Sequence, residues 1–402
     1  MKHIISLCIA SIVLSACNKQ IEIESQNTET PNLIQFVNPF VGTKNMGHTY
    51  PGATAPFGMV QLSPETRLMN MYVDGKYNKE VYRYCSGYQY EDSTIFGFSH
   101  THFSGTGHSD LGDFLLMPTT GKLQLEPANI ESGEDGFCSQ FDHENEEAEP
   151  GYYSVLLNDY QIQAELTASE RVGFHQYTFN EKDTAHIILD LMSNIYNHED
   201  KNIWTFLRVE NDSVVTGYRQ TNGWAKPKKV FFAMQFSKAC INYGHKRYEN
   251  VVYKGFYRKF NEEENFPEMS GKQIRAYFDF DMEKDEKLQI KFALSSVSTK
   301  GALLNLEAEI PHWDFEQVKS ETQEKWNQEL SKIIVETQTE EQKITFYTAL
   351  YHTMLSPIIY EDVDGSYRGL DQNIHQSEGF TNYTIFSLWD TYRALHPLFN
   401  LI

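Results

Sequence analysis

The sequence predicts an antiparallel β-sandwich followed by a helical region, and two observations support this. Up to about residue 298 the chain is a series of short, partly alternating β-branched and aromatic segments separated by turn residues. No long segment of helical periodicity lies among them, which favours sheet packed on sheet. After that point apolar residues recur at helical spacing. The 402 residues are enough for two separate cores.

The overall charge excludes some partners. The formal net charge is -21 at pH 7. Nucleic acid phosphates and an anionic membrane surface would repel such a chain. We therefore expect no nucleic acid partner, whereas a neutral ligand is compatible with this charge.

The first residues have the pattern of a bacterial lipoprotein leader. A charged start is followed by the apolar run 4–14, which is too short to span a bilayer as a mature helix. The run Leu14-Ser15-Ala16-Cys17 resembles the lipoprotein box, in which the cysteine becomes the lipidated N-terminus. We predict a signal peptide over 1–17, a lipid anchor to the membrane at Cys17 and a polar tether over 18–32. The protein is then expected in the bacterial cell envelope, in the periplasm or at the outer membrane. The alternative is an ordinary cleaved secretion signal with a chance cysteine.

Three cysteines remain outside the leader. Cys85, Cys138 and Cys240 are widely spaced and form no Cys-x-x-Cys motif. One disulfide with a spare thiol is compatible with this spacing in an oxidising compartment. A disulfide framework or a zinc knuckle is not predicted.

The sandwich region contains segments with a clear strand pattern. The segments that we predict as strands are 152–157, 162–166, 173–179, 186–191 and 288–294. By contrast, the stretch 38–64 is dense in glycine and proline, so we predict an ordered loop without regular elements there. Ordered loops on a rigid sheet are frequent places for binding residues.

A second unusual stretch is rich in glycine, histidine and aspartate. His100 and His102 alternate, so on a strand they would share a face. Together with His108, Asp110 and Asp113 they form a candidate transition-metal site. The alternative is a glycine-rich loop whose histidines and aspartates hydrogen-bond to backbone or sugar.

The helical region begins with two amphipathic segments. Apolar residues at helical spacing predict one helix over 315–334 and a more buried one over 340–355, which Pro357 ends. The run after Asp362 starts like a calcium loop but lacks its further acidic ligands and terminal glutamate. An Asp-Gly turn is the preferred interpretation. Arg368 and Asp371 beside it are candidate pocket residues.

The final segment combines an apolar helix face with a charged pair. The apolar residues at helical spacing are Leu388, Trp389, Tyr392, Leu395 and Phe399. Asp390 and Arg393 are three residues apart and would be neighbours on that helix, with Pro397 ending or kinking it near His396. An indole beside a charged pair is a common way to hold a sugar, because the ring covers an apolar face and the charges bind hydroxyls. The alternative is a packed helix with a surface ion pair.

These motifs resemble glycoside hydrolase family 92. The run 389–393, Trp-Asp-Thr-Tyr-Arg, is similar to the opening motif of that family's catalytic domain. The runs 37–43, 50–53, 56–64 and 98–105 are similar to pieces of its N-terminal domain. The resemblance extends from about residue 36 to residue 402, and it rests on several long runs, so it is more specific than a single motif.

The resemblance implies a calcium-dependent, inverting exo-α-mannosidase in which a β-sandwich packs on an (α/α)6 barrel and N-terminal loops complete the sugar pocket. It therefore implies a sandwich domain over 33–298, a helical linker over 299–338 and the start of the barrel over 339–402. The residues that it implies for binding a mannose-containing glycan are Trp389, Asp390, Arg393, His102 and Gly105.

The helical region is short for such a barrel. Residues 340–402 have room for two or three helices, whereas a closed double ring needs about twelve, each of about a dozen residues. In the family the general acid, the general base and the Ca²⁺ ligands lie further along the catalytic domain, and we find no match for them here. We therefore expect an N-terminal fragment that is inactive alone, and we assign no catalytic residue and no metal ligand to this chain.

The function implied is that of an α-mannosidase, of α-1,2 type, that removes terminal mannose from mannose-rich N-glycans. Two other functions are compatible with the same motifs. One is a glycan-binding lipoprotein without catalysis. The other is an amidase or different hydrolase of glycoprotein glycans on a similar β scaffold.

Overall fold

The computed structural model describes residues 31–108, 110–198, 200–224, 227–248, 267–384 and 388–402. The predicted signal peptide and the lipidation site Cys17 lie outside the described residues, as does the predicted tether up to residue 30. None of the helices described is long and apolar enough to cross a membrane.

Two large antiparallel sheets face each other in the described part of the chain. The first has seven strands, in the spatial order Ala53–Thr54, Gln61–Glu65, Gly97–Ser99, Leu115–Thr120, Asp183–Asp190, Ile274–Met282 and Asn242–Arg247. The second has nine, in the order Glu146–Glu149, Tyr152–Leu157, Ile162–Ala168, Val172–Phe179, Glu286–Ser295, Lys228–Phe236, Val214–Thr221, Asn202–Val209 and Glu268–Gly271. Both sheets contribute to one hydrophobic core, in which Phe114, directly before strand Leu115–Thr120 of the first, packs against Phe232 and Phe292 of the second. The predicted β-sandwich is confirmed.

Shorter elements decorate the sandwich. The described two-stranded pairs are Met69–Asn70 with Tyr196–Asn197, Tyr72–Val73 with Lys76–Tyr77, Thr94–Ile95 with Ser139–Gln140, and Ser366–Arg368 with Ile374–Gln376. Short 3-10 helices occupy Ile34–Phe36, Lys79–Tyr84 and His143–Asn145.

The predicted strands lie where the alternating pattern placed them, with small shifts at their ends. Tyr152–Leu157 begins and ends as predicted. The prediction of a loop without regular elements over 38–64 is wrong in part, because Ala53–Thr54 and Gln61–Glu65 are strands. All five residues of Gln61–Glu65 are buried, and the strand pairs with Gly97–Ser99.

Helices follow the last sandwich strand, as predicted. They are Thr299–Glu309, Phe315–Leu330 and Glu340–Thr353, and a side chain caps the N-terminus of each. The second helix is fixed to the sandwich by the fully buried Trp326, whose indole N–H donates to the Thr54 carbonyl oxygen at 2.7 Å.

The predicted long helix at the end of the chain is wrong. Two short helices, Leu388–Thr391 and Leu395–Phe399, replace it. Pro397 lies inside the first turn of the second helix, where its missing N–H would have no partner within the helix. Leu388, Trp389 and Tyr392 are exposed, so this part of the predicted apolar face does not pack on the described core. Phe399 instead packs on Phe57, with their ring centroids 5.8 Å apart.

The three cysteines of the sandwich are free thiols. Burial raises the pKa of Cys85 and Cys240, and it raises the pKa of Cys138 to about 11.

Candidate functional site

A cleft of about 720 Å³ lies where the sandwich meets the segment that follows the third helix. One wall consists of the 101–113 loop and the adjoining ends of Lys228–Phe236 and Glu286–Ser295. The other wall consists of residues between 356 and 384, including the hairpin Ser366–Arg368 with Ile374–Gln376.

The sandwich wall is built around the buried carboxylate of Asp113. It accepts a hydrogen bond from the Thr101 hydroxyl at 2.7 Å and one from the Lys228 ammonium, and the Arg219 Nε lies 3.6 Å away. Burial alone would raise the pKa of Asp113, but Lys228 and Arg219 outweigh burial and lower the pKa to about 2. Asp113 is therefore an ionised acceptor at neutral pH.

An exposed aromatic ring is held by a second carboxylate of this wall, that of Asp110. The backbone N–H of Trp224 donates to Asp110 at 2.6 Å, and Lys201 Nζ donates to the same carboxylate at 3.1 Å. The Trp224 ring lies 3.9 Å from the His108 ring and is 74% exposed on the edge of the cleft. A supported and accessible indole is suited to the apolar face of a sugar ring.

The two alternating histidines do not converge on a metal. His100 is turned into the core, where its Nε2 lies 3.0 Å from His175 Nε2, and burial lowers its pKa to about 3. His102 donates from Nδ1 to the Gln61 carbonyl oxygen at 2.8 Å, and its Nε2 lies 3.0 Å from Glu65 Oε1. Among the described residues no group of three or more His, Cys, Asp or Glu is arranged to hold a metal ion. The nitrogens of the two histidines are instead taken up by contacts within the protein.

The hairpin wall is held by backbone and local hydrogen bonds. The Arg368 guanidinium donates to the carbonyl oxygens of Ser296 at 2.9 Å and Val297 at 3.2 Å. Asp371 is exposed, and hydrogen bonds from Asn373 and then His375 lower its pKa to about 2. Arg368 and Asp371 both line the cleft, as expected.

The turn before the hairpin is anchored by a buried aspartate. Asp362 accepts hydrogen bonds from Ser295 at 2.7 Å and Asn305 at 2.9 Å. Burial raises its pKa to about 6. The N–H of Gly365 donates back to the Asp362 carbonyl oxygen, which closes the predicted turn in place of a calcium loop. Asp362 is not among the residues that line the cleft.

The structure brings only part of the predicted sugar site together. His102 lines the cleft. Trp389 is 87% exposed, Asp390 and Arg393 are exposed beside it, and none of the three is among the cleft-lining residues. Arg393 Nε donates to the Tyr392 hydroxyl at 2.8 Å.

Gly105 also lies outside the cleft lining. Its N–H donates to the His48 carbonyl oxygen at 2.7 Å, and nothing lies within 4 Å of where a Cβ would stand. This glycine therefore stands at an open position of the loop.

Sequence reasoning missed several residues of the cleft. Trp224, Lys228 and Tyr360 lie far apart in the chain and meet only through the fold. No spacing pattern connects them. The only sequence feature that distinguished Trp224 was a turn-like context after Gly223.

The cleft is chemically suited to a neutral polyhydroxyl ligand. It offers the ionised acceptors Asp113 and Asp371, the donors Lys228 and Arg368, and the aromatic ring of Trp224. A few convergent polar groups around an apolar surface are typical of such sites. A general acid for glycoside hydrolysis needs a raised pKa. Neither Asp113 nor Asp371 meets this condition.

Profiles of two protein domains match nearly all of the described chain. The glycosyl hydrolase family 92 N-terminal domain matches residues 36–295, and the glycosyl hydrolase family 92 catalytic domain matches residues 301–402.

Solved structures and a curated protein are also similar. A family 92 α-mannosidase from Bacteroides thetaiotaomicron, solved with mannoimidazole, is 41% identical over 92% of this chain and 46% of its own, with a TM-score of 0.82. A family 92 inverting mannosidase from the same species is 29% identical over 91% of this chain and 46% of its own, with a TM-score of 0.71. An uncharacterized secreted glycosidase from Arthroderma benhamiae is 25% identical over 90% of this chain and 45% of its own. The chain thus spans about half the length of these relatives.

Proposed function

Because the chain belongs to glycoside hydrolase family 92, we propose that it contributes the β-sandwich and the sugar-binding cleft of an exo-α-mannosidase. The proposed reaction removes terminal mannose from mannose-rich N-glycans with inversion at the anomeric carbon, and α-1,2-linked mannose is the preferred substrate. The similar α-mannosidase that was solved with mannoimidazole supports a mannose ligand.

The observation that carries this proposal is the make-up of the cleft. Ionised carboxylates, cationic donors and an exposed indole surround a space of about 720 Å³. This volume falls within the range of small-molecule sites, about 300–1,000 Å³. A terminal sugar fits this chemistry, because its hydroxyls bind charged groups and its C–H face packs on an aromatic ring.

Five further residues are proposed as sugar contacts, and of these only His102 lines the cleft. Trp389, Asp390 and Arg393 are exposed, so a ligand can reach them. His102 uses both ring nitrogens within the protein, so it would contact the sugar through its ring. Gly105 lies at an open position of the same loop, where a sugar can approach the backbone.

No residue of this chain is proposed as general acid or general base. Inverting hydrolysis needs two carboxyl groups roughly 6.5–9.5 Å apart, one of them protonated. Asp113 and Asp371 have pKa values of about 2, so both are ionised at neutral pH. We therefore expect the 402-residue chain to bind the sugar without hydrolysing it.

The family resemblance also implies Ca²⁺ for the whole enzyme. The described residues offer no group of three or more His, Cys, Asp or Glu that could hold a metal. No residue of this chain is proposed as a Ca²⁺ ligand.

The proposed location is the bacterial cell envelope, with a lipid anchor at Cys17. The lipoprotein-box motif supports the anchor, and the similarity to a secreted glycosidase supports export. Metabolic labelling with a fatty acid would test the anchor, since C17S should abolish the label.

The proposed function is tested by binding and hydrolysis together. We expect the 402-residue chain to bind α-1,2-mannobiose in isothermal titration calorimetry, and to bind a glucose disaccharide much more weakly. We expect the full gene product to release mannose from α-1,2-mannobiose and to lose this activity with a chelator.

Two results would contradict the proposal. Binding by the full gene product without any hydrolysis would favour a glycan-binding lipoprotein. Cleavage of an amide bond in a glycopeptide, with mannosides untouched, would favour the amidase.

A further inference from the structure

A second pocket of about 840 Å³ lies in the sandwich and shares no lining residue with the cleft. Its walls are the hairpin formed by Tyr72–Val73 and Lys76–Tyr77, the loop 126–134 and the segment 190–202. It is larger than the cleft, and the function proposed above does not use it.

The floor of this pocket is polar, fixed and largely neutralised. The buried guanidinium of Arg275 donates to Asp190 at 2.7 Å and to Glu126 at 3.0 Å. Asn194 orients two of the lining amides, donating to the side-chain oxygens of Asn197 at 3.2 Å and Asn202 at 3.4 Å. Groups that are held in this way lose little entropy when a ligand binds.

Several polar groups of the lining face solvent and are not bound by other described residues. The Arg67 guanidinium and the Asn70 carboxamide both line the pocket, and neither makes a hydrogen bond or a salt bridge with any residue that the structure describes. The amide nitrogen of Asn197 likewise has no acceptor among the described residues. These donors are available to a ligand.

An exposed aromatic residue forms the rim. Tyr72 is 53% exposed and lines the pocket, whereas Tyr77, its cross-strand partner, is 45% exposed and does not. Asp74 and Gly75 have φ values of 51° and 71°, which suits the tight two-residue turn that fixes the hairpin. The two rings lie 6.5 Å apart. As directly paired residues the two tyrosines lie on the same face of the hairpin, with Tyr72 in the pocket lining and Tyr77 beside it, outside the lining.

The lining chemistry favours a neutral ligand rich in hydroxyl groups. Amide side chains supply donors and acceptors together, and the charge of Arg275 is offset by Glu126 and Asp190. The lining also carries Arg67, Glu131 and Glu134, whose charged groups can bind hydroxyls. The tyrosine at the rim offers an apolar ring with a polar tip. An oligosaccharide has this combination of hydroxyls and C–H faces.

The pocket is also a neighbour of the cleft. His198 lines the pocket, and Lys201, three residues further, donates to Asp110 of the cleft at 3.1 Å. The two spaces therefore lie on either side of one short segment. We propose that this pocket is a second oligosaccharide site, which takes another branch of the mannose-rich glycan whose end enters the cleft. This inference rests on the proposed function for the identity of the sugar.

The matched tyrosines provide the test. Binding of a branched mannose-rich oligosaccharide and of α-1,2-mannobiose to the 402-residue chain would be compared by calorimetry. We expect Y72A to weaken binding of the branched oligosaccharide about fivefold, equivalent to about 1 kcal/mol, and to leave mannobiose binding unchanged. We expect Y77A to change neither, because its side chain lies outside the pocket. R67M should weaken binding of the branched oligosaccharide as Y72A does, although Arg67 lies outside the hairpin.

Two outcomes would overturn the inference. Equal losses in Y72A and Y77A, with none in R67M, would show that the hairpin acts only structurally. If Y72A and R67M both bind the branched oligosaccharide with unchanged affinity, the pocket does not bind this sugar. If mannobiose still binds, the inference alone has failed, whereas absence of mannobiose binding in the unsubstituted chain counts against the proposed function itself.

Discussion

The two walls of the cleft each carry an aspartate whose pKa is about 2, but they reach this value by different means. Asp113 is buried, and the cations of Lys228 and Arg219 overcome the penalty of burial. Asp371 is exposed on the hairpin, and hydrogen bonds from Asn373 and His375 suffice to hold its charge. The ionised form of Asp113 therefore depends on the folded structure around it, whereas that of Asp371 depends on a few local hydrogen bonds.

This difference between Asp113 and Asp371 indicates which wall of the cleft is the more rigid. Removing one member of a buried charge group leaves the other charges without compensation in a poorly solvated place. When an exposed carboxylate is removed, its hydrogen-bond partners can bind water instead. The sandwich wall is thus a rigid support, and the hairpin wall carries groups that can be altered with little effect on folding.

The largest expected effect comes from Asp113→Asn. The substitution leaves Lys228 and the buried Arg219 without a carboxylate, so we expect the free energy of unfolding to fall by about 3–5 kcal/mol. Urea unfolding at neutral pH measures this change. A loss below about 1 kcal/mol would mean that the two walls do not differ as described.

The next effect is a pH dependence that arises from Asp362. Its pKa is raised from 3.8 to about 6, so the folded state holds the proton more tightly than the unfolded state. The contribution to stability is full below pH 3.8 and is lost as the pH rises through 6, by at most about 3 kcal/mol. Asp362→Asn should remove this slope from urea-unfolding data between pH 4 and 7. An unchanged slope would assign it to other groups.

A smaller effect, on mannoside binding, is expected to distinguish the two exposed tryptophans Trp224 and Trp389. Trp224 lines the cleft and Trp389 does not. We expect W224A to weaken mannoside binding about tenfold, equivalent to about 1.4 kcal/mol, through loss of the ring surface. Titration calorimetry with W389A as the comparison shows which tryptophan the chain uses. A loss confined to W389A would place the sugar near the last helices.

The smallest effect is expected for Asp371→Asn. Because this carboxylate is exposed, its hydrogen-bond partners can turn to water, and thermal unfolding should stay within experimental error of the unsubstituted chain. Mannoside binding should weaken if Asp371 contacts the sugar. A marked loss of stability instead would show that the hairpin wall depends on Asp371 as strongly as the other wall depends on Asp113.

The fold was largely predictable because its elements carry local patterns. Tyr152–Leu157 is a short, mostly apolar segment bounded by turns, and Phe315–Leu330 repeats apolar residues at helical spacing. The end of the chain was predicted poorly for a physical reason. Leu388, Trp389 and Tyr392 are exposed, so the spacing that suggests a long helix is not stabilised there by burial.

The site was less predictable than the fold. Arg368 and Asp371 were found because they follow a turn motif, whereas Lys228 and Trp224 belong to the cleft only through sheet pairing between distant segments. The Trp389-Asp390-Arg393 cluster was visible in the sequence, yet the structure does not bring it to the cleft lining. Residues that are distant in the chain and meet only in the folded structure show no regular spacing in the sequence, so sequence patterns do not identify them.

The unpaired cysteines have a practical consequence. A thiol reacts as its thiolate, and Cys85, Cys138 and Cys240 all hold their protons more firmly than a free cysteine. At neutral pH they should react slowly with maleimides. A fluorophore could then be attached to one cysteine introduced on the Tyr72 hairpin, with the three native cysteines left in place. Its fluorescence would report glycan binding to the pocket.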